Sequence, residues 1–237
     1  MKHKVVSALT LILVPAAAFI IAAGCGKNEP KQGAEASKSA PAPSQDGWIV
    51  LFDGKNLNAW QTDKPGGWAI EDSAMALTKV GGYIWTKERF GNFVLDTEFK
   101  ISKGCNSGIF FRTGDISDPV KTGIEMQILD TAGKEKLDSH DSGALYDLLA
   151  PSVNTMKPAG EWNHVVITCH ENHVMIELNG QQIIMADLDT WTTPGKNPDG
   201  SPNKFTLALK NFPRVGFIGF QDHGFPVWYR NVKVKKM

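Results

Sequence analysis

The chain has 237 residues, with 25 Lys and Arg against 25 Asp and Glu, 42% hydrophobic residues, 23 Gly and 13 Pro. That composition excludes an intrinsically disordered chain and a multi-span membrane protein, and a balanced charge without a Lys/Arg run excludes the basic footprint that nucleic-acid binding needs. The three cysteines are too few for a disulfide scaffold or a zinc ribbon.

Taken in chain order, Lys2 and Lys4 precede an uncharged apolar run over residues 5–23, which reads as an export signal over 1–24. An uncleaved anchor helix is the alternative, since the run just reaches the length of a bilayer span. The run ends Ala22-Ala23-Gly24-Cys25, which resembles the bacterial lipobox with Cys25 as the lipidated residue; Ala22 stands where that motif usually has Leu. Both readings put the rest of the chain in the cell envelope, tethered to a membrane and facing the periplasm or exterior. Residues 25–46 contain no aromatic and no large aliphatic residue, so they read as a polar, flexible tether. Loss of residues 1–24 removes Lys2 and Lys4, and leaves the mature chain with a formal charge of −2.

From Trp48 onward the dominant period is two, and residues 47–237 read as one all-β domain. Phe93, Leu95, Thr97, Phe99 and Ile101 alternate with more polar neighbours, the pattern of a half-buried strand. Further strands are predicted at Ile124–Leu129, around Val165, Ile167 and Cys169, and at 174–178, which leads through Asn179-Gly180 into 181–186 as a hairpin. Strands are also predicted at 205–209, 215–221 and 227–234, with at most a single helical turn at 144–149. Many short strands punctuated by Gly, Pro and Asp predict an antiparallel sandwich or barrel, and about 190 residues suit a two-sheet jelly roll. Export permits a disulfide, so a Cys105–Cys169 bridge is left open beside two buried thiols.

Several blocks in this domain resemble the 3-keto-disaccharide hydrolase family. They are Trp48-Ile-Val-Leu-Phe-Asp-Gly-Lys-Asn-Leu-Asn-Ala-Trp60, Asn106-Ser-Gly-Ile-Phe-Phe-Arg112, Glu125-Met-Gln-Ile-Leu-Asp130 and Gly143-Ala-Leu-Tyr-Asp-Leu-Leu-Ala-Pro151. Pro158-Ala-Gly-Glu-Trp-Asn163, Leu178-Asn-Gly180, Gly219-Phe-Gln-Asp-His-Gly224 and Val227-Trp-Tyr-Arg-Asn231 continue the match in order. The resemblance implies a concanavalin A-like jelly-roll sandwich of two antiparallel sheets. It also implies action on glycosides whose sugar carries a ketone at carbon 3, by hydrolysis or by elimination. In such a sugar the proton on carbon 2 is acidified by the carbonyl. A site needs a base for that proton, a donor or cation for the enolate oxygen, and an acid for the leaving oxygen.

Residues in the matching blocks supply candidates. Ile124, Met126 and Ile128 share one strand face, so Glu125 and Gln127 occupy the other, the usual ligand face of a jelly roll. Glu125 or His223 is the expected base, Arg112 projects from a neighbouring strand as the enolate stabiliser, and Tyr146 is the acid. Asn106, Gln127, Asp130, Gln221 and Trp85 are the expected substrate contacts. The blander alternatives are an ion pair between Glu125 and Arg112, a turn-stabilising His223 and a core Tyr146. The sequence specifies no definite cofactor. A divalent metal held by His140, Asp141 and Asp222 is a weak candidate, because the polar run Asp138-Ser-His140-Asp141 lacks strict ligand spacing.

Two other functions compete. A retaining β-glucanase-type glycosidase needs two carboxyls about 5 Å apart, whereas Glu125 and Asp130 fall on opposite faces of a regular strand. A lectin-like carbohydrate-binding module shares the fold, and fold alone does not separate binding from catalysis.

Overall fold

A computed structural model describes residues 46–62 and 64–237; the export signal, Cys25 and the tether lie outside the described residues, apart from Asp46. The strands in chain order are β1 (Trp48–Phe52), β2 (Trp60–Thr62), β3 (Trp68–Glu71), β4 (Ala74–Leu77), β5 (Ile84–Phe90), β6 (Phe93–Ile101) and β7 (Asn106–Thr113). They continue with β8 (Ile124–Leu129), β9 (Trp162–His170), β10 (His173–Leu178), β11 (Gln181–Asp187), β12 (Gly216–Phe220) and β13 (Val227–Lys236). Among the described residues the one α-helical segment is a single turn, α1 (Pro119–Thr122).

The strands form two antiparallel sheets. The larger runs β11-β10-β9-β6-β13-β4-β3, with β1 added to the far half of β13; the smaller runs β2-β5-β12-β7-β8. The alternation seen in the sequence of β6 is the burial pattern itself, with Phe93, Leu95, Phe99 and Ile101 fully buried between the sheets. On the smaller sheet Ile84, Ile109, Phe111, Ile124, Met126, Ile128 and Phe220 face the same core. Phe220 stacks flat on Tyr229 of the larger sheet, with ring centroids 3.8 Å apart. The Tyr229 hydroxyl lies 3.1 Å from Ser107 Oγ, which in turn donates to the Gln221 carbonyl. The core is thereby tied to the end of β12, where the next residues reach the other side of the sheet.

The 205–209 segment is not a strand. Over residues 205–212 the buried side chains are Phe205, Ala208, Leu209 and Phe212, spaced as on a helix, while Leu207 is exposed. It folds irregularly into a 3-10 turn at Leu209–Asn211. The strand expected here fails because burial does not alternate with a period of two. Cys105 and Cys169 are both buried free thiols, and burial pushes each up to about 12, so they serve as small apolar fillers.

Arg112 departs furthest from expectation. It is fully buried and does not meet Glu125. The backbone at Arg112 has φ of 52°, and the β12–β7 register shifts between Phe217 and Gly219, so the strand breaks its alternation at this point. Arg112 Nη1 donates to the Glu171 carbonyl at 2.7 Å. Nε and Nη2 donate to the Gly91 carbonyl at 3.3 and 3.2 Å, and Nη2 lies 3.4 Å from Asn92 Oδ1. The guanidinium therefore clamps the β5–β6 turn, which joins the two sheets, to the β9–β10 turn. Burial holds its pKa below the ordinary arginine value, and its hydrogen-bond acceptors are backbone carbonyls and an amide instead of a carboxylate. Arg112→Ala is expected to cost about 3 kcal/mol of unfolding free energy by urea titration, because it strands the Gly91 and Glu171 carbonyls in a buried space. A loss below about 1 kcal/mol would show that the clamp is dispensable.

Candidate functional site

The outer face of the smaller sheet carries one continuous row. Strand register sets Trp85 of β5 opposite Gly219 of β12, Gly219 opposite Phe110 of β7, and Phe110 opposite Glu125 of β8. Trp85 and Phe110 are fully buried yet stand outside the main core cluster, on the sheet face opposite Ile84 and Ile109. Two glycines make room for this row. A Cβ at Gly219 would sit 2.2 Å from Trp85 Cε3, and a Cβ at Gly108 would sit 2.3 Å from Glu125 Oε1. The Tyr83 ring covers the row, packing 5.8 Å from both Trp85 and Phe110.

At the end of this row a cleft of about 140 Å³ is lined by Tyr83, Asn106, Val120, Glu125, Gln127, Tyr146, Gln221 and His223. Six elements of the fold supply these residues. β7 and β8 bring Asn106, Glu125 and Gln127, and Gln127 Nε2 donates to Asn106 Oδ1 at 3.3 Å. The 143–151 segment folds over β8 through Tyr146 N–H to the Glu125 carbonyl and Gln127 N–H to the Ala144 carbonyl. Gln221 is held by its own N–H to the Gly108 carbonyl. His223 is exposed at the mouth. Its turn is built by Asp222, whose carboxylate accepts the N–H groups of Gly81, Gly82 and Gly224, each at 2.8 Å.

Glu125 is the electrostatic centre of the cleft. Its side chain is 3% exposed, and Lys204 Nζ approaches Oε2 at 3.7 Å, an ion pair and not a hydrogen bond. Burial pushes the Glu125 carboxyl up to about 7, against the opposing pull of the Lys204 charge and of Gln221. Burial also lowers Lys204, with Glu125 and Asp147 acting against it. The ammonium lies 4.5 Å over the Tyr146 ring and 5.3 Å from that of Phe205, so aromatic faces take part of its solvation. Lys204 Nζ, Gln221 Oε1 and Trp85 Nε1 are buried without a hydrogen-bond partner. Tyr146 is raised by burial first, then by Glu125 and Asp147, so its hydroxyl stays protonated.

The structure thus gathers Glu125, Gln127, Asn106, Tyr146, Gln221 and His223, and it leaves out three expected residues. Arg112 is in its clamp between the turns. Asp130 does not line the cleft; its Oδ2 accepts the Gly104 N–H at 2.8 Å. Trp85 is fully buried under Tyr83, so it shapes the floor without offering a ring face to a sugar. The proposed metal ligands are likewise not assembled. Asp141 is bound by Lys134 at 2.6 and 2.8 Å and by the Asp138 N–H, and Asp222 by the three glycine N–H groups. Among the described residues no group of three or more His, Cys, Asp or Glu is placed to hold a metal ion. His140 instead packs edge-on to Tyr146 and lies 3.3 Å from Asp147.

Lys204 is the residue the sequence reading missed. It lies in an irregular segment with no motif of its own, next to Phe205. The one local sign is a lysine beside an aromatic residue that becomes core.

The family described as a 3-keto-alpha-glucoside-1,2-lyase-like domain matches residues 47–235. A 3-keto-disaccharide hydrolase of Bacteroides thetaiotaomicron is 33% identical over 227 residues, covering 80% of this chain and 78% of that protein. A crystal structure of a Parabacteroides distasonis protein assigned as a glycosyl hydrolase is 36% identical with a TM-score of 0.74, covering 80% of this chain and 99% of that one. Another from the same organism, assigned in the same way, is 27% identical with a TM-score of 0.67, covering 81% and 94%.

The raised carboxyl has a consequence for stability. Unfolded, Glu125 ionises near 4.5, and folded near 7, so stability contributed below 4.5 is lost as pH rises toward 7. The cost amounts to about 3 kcal/mol by linkage. Urea unfolding at pH 4.5 and 7.5 is expected to show this decline in the wild type and a flatter profile in Glu125→Gln. Identical pH profiles would contradict a buried, proton-holding Glu125.

Proposed function

Because the chain belongs to the 3-keto-disaccharide hydrolase family, we propose that it is a glycoside-cleaving enzyme acting on 3-keto sugars through proton abstraction at carbon 2. The observation that carries this reading is that Glu125 is the single carboxyl among the residues lining the cleft. Direct displacement at carbon 1 in a retaining or inverting glycosidase uses a pair of carboxyls. Elimination beside a ketone needs one base, and a carboxyl at about 7 is poised to act as that base near neutral pH.

In this mechanism Glu125 carboxylate takes the proton from carbon 2, and the electron pair moves to the carbon 3 oxygen as an enolate. The Asn106 amide and the protonated Tyr146 hydroxyl donate to that oxygen, the role Arg112 cannot fill from its clamp. Collapse of the enolate restores the ketone, forms the double bond between carbons 1 and 2, and breaks the bond from carbon 1 to the leaving oxygen. His223, at the exposed mouth, supplies the proton that the leaving oxygen takes up. Water then adds to carbon 1 of the enone and gives its proton to His223, which regains the one it lost, while Glu125 returns its proton to carbon 2, so the net reaction is hydrolysis; release before water addition gives the lyase outcome. Lys204 is a positioning residue behind Glu125, where it favours the ionised form the base requires.

Glu125→Gln is expected to lower turnover of a 3-keto disaccharide by at least about 100-fold, with no cleavage of the unoxidised disaccharide by either protein. The wild-type rate is expected to rise with pH through about 7, because the base acts ionised. Cleavage of the unoxidised sugar would favour an ordinary glycosidase, and binding without release of either would make the domain a lectin-like module.

The sequence supports an enzyme that works outside the cytoplasmic membrane. Residues 1–24 serve as the export signal, Cys25 carries the lipid, and residues up to 46 tether the domain. Metabolic labelling with a radiolabelled fatty acid is expected to mark the full-length protein and not Cys25→Ser. Label retained in Cys25→Ser would overturn the anchor.

A further inference from the structure

The His223 ring makes no hydrogen bond or ion pair among the described residues, and it stands exposed at the mouth of the cleft. A general acid works only when it is held within reach of the atom it protonates, so the backbone that carries it has to be fixed. The chain leaves β12 anchored at Gln221, whose N–H donates to the Gly108 carbonyl and whose own carbonyl accepts from Ser107 Oγ at 2.9 Å. Residues 222–225 beyond it belong to no strand. What holds them is the Asp222 side chain. Its Oδ1 accepts the Gly224 N–H and closes the turn around His223, while its Oδ2 accepts both the Gly81 and the Gly82 N–H. Two successive backbone N–H groups on one carboxylate oxygen form a nest for an anion.

The loop that supplies the nest is itself seated from behind. A Cβ at Gly81 would sit 2.1 Å from Gly67 Cα, and one at Gly67 would sit 1.9 Å from Gly81 Cα, so the two backbones lie directly on each other. Trp68 Nε1 donates to the Gly82 carbonyl at 2.8 Å. The next residue is Tyr83, whose ring packs on Trp85 and Phe110 and lines the cleft. One carboxylate thus joins segments 141 and 140 residues apart, and each of the two segments puts a side chain, Tyr83 or His223, on the cleft.

We propose that Asp222 is a positioning residue for departure of the leaving group: by tying the His223 turn to the Gly81-Gly82 loop, it holds the imidazole where the leaving oxygen takes up its proton. The inference rests on the role of His223 in the proposed reaction. An asparagine at this position keeps one acceptor oxygen and turns an NH2 group toward backbone donors, so one of the two ties is lost. A serine keeps a weaker local turn to Gly224 and is too short to reach the Gly81-Gly82 loop.

The test reads single-turnover release of the alcohol from two 3-keto glucosides, those of methanol and of para-nitrophenol. Methoxide needs a proton to leave, whereas nitrophenolate leaves without one. His223→Asn is expected to slow methanol release about 100-fold and nitrophenolate release less than about three-fold. Asp222→Asn and Asp222→Ser are expected to slow methanol release at least about ten-fold, again with nitrophenolate within about three-fold, which also reports that the variants are folded and that Glu125 still takes its proton. Added to His223→Asn, either Asp222 change is expected to slow methanol release by no more than about a further two-fold, because the residue acts through His223. Equal slowing of both alcohols by both Asp222 variants, wild-type methanol release in either of them, or losses that multiply in the double variants would overturn the positioning role and leave the reading of the cleft intact. Methanol release spared in His223→Asn would remove His223 as the acid, and this inference with it. Release of neither alcohol by the wild type would overturn the glycoside-cleaving reading itself.

Discussion

The arrangement of the smaller sheet turns on one buried carboxyl. Glu125 has been taken almost entirely out of water, and its countercharge, Lys204, stands 3.7 Å away and is itself desolvated. A buried charge pair of this kind gains little net stability, because the loss of hydration offsets most of the attraction. Its value lies in the proton affinity it sets. Burial alone would keep the carboxyl protonated, and Lys204 and Gln221 pull it back to about 7, where both protonation states are accessible at neutral pH.

The surrounding fold is arranged to hold that carboxyl in place. Gly108 leaves space for it on the neighbouring strand, and Gly219 leaves space for the Trp85 ring that floors the same row. The Tyr229–Ser107–Gln221 chain of hydrogen bonds carries the packing of the inter-sheet core to the cleft side of the sheet. The Arg112 clamp holds the turns at one end of the sandwich, where the chain passes from β5 of one sheet to β6 of the other. A cationic side chain from the same sequence block thus acts in the framework and leaves the cleft with a single carboxyl and neutral donors.

The two-residue period made the strand faces legible. It placed Glu125 and Gln127 opposite Ile124, Met126 and Ile128, and these three are core residues in the structure. The same period failed where the backbone left regular geometry. At Arg112 a left-handed residue and a register shift broke the alternation, so a residue assigned to the ligand face turned inward. At 205–209 buried residues recur at helical spacing in an irregular segment, and Leu207 lies in solvent. Trp85 was legible as important and not as buried, because the ring that covers it, Tyr83, lies two residues away on the same face of its own segment.

By itself the sequence determined the all-β class, the family, and which residues of β8 face away from the core, because strand alternation and motif order are properties of the chain read locally. Only the tertiary structure decided which cation meets Glu125, that Arg112 supports turns instead of the site, and that Asp141 and Asp222 are committed elsewhere. Apart from Asp141, which Lys134 and the Asp138 N–H hold locally, these depend on contacts between segments far apart in the chain. Glu125 meets Lys204 from a segment without sequence period, and Asp222 meets Gly81 and Gly82 across the domain. Nothing local specifies such meetings; they follow from the order in which thirteen strands pair into two sheets.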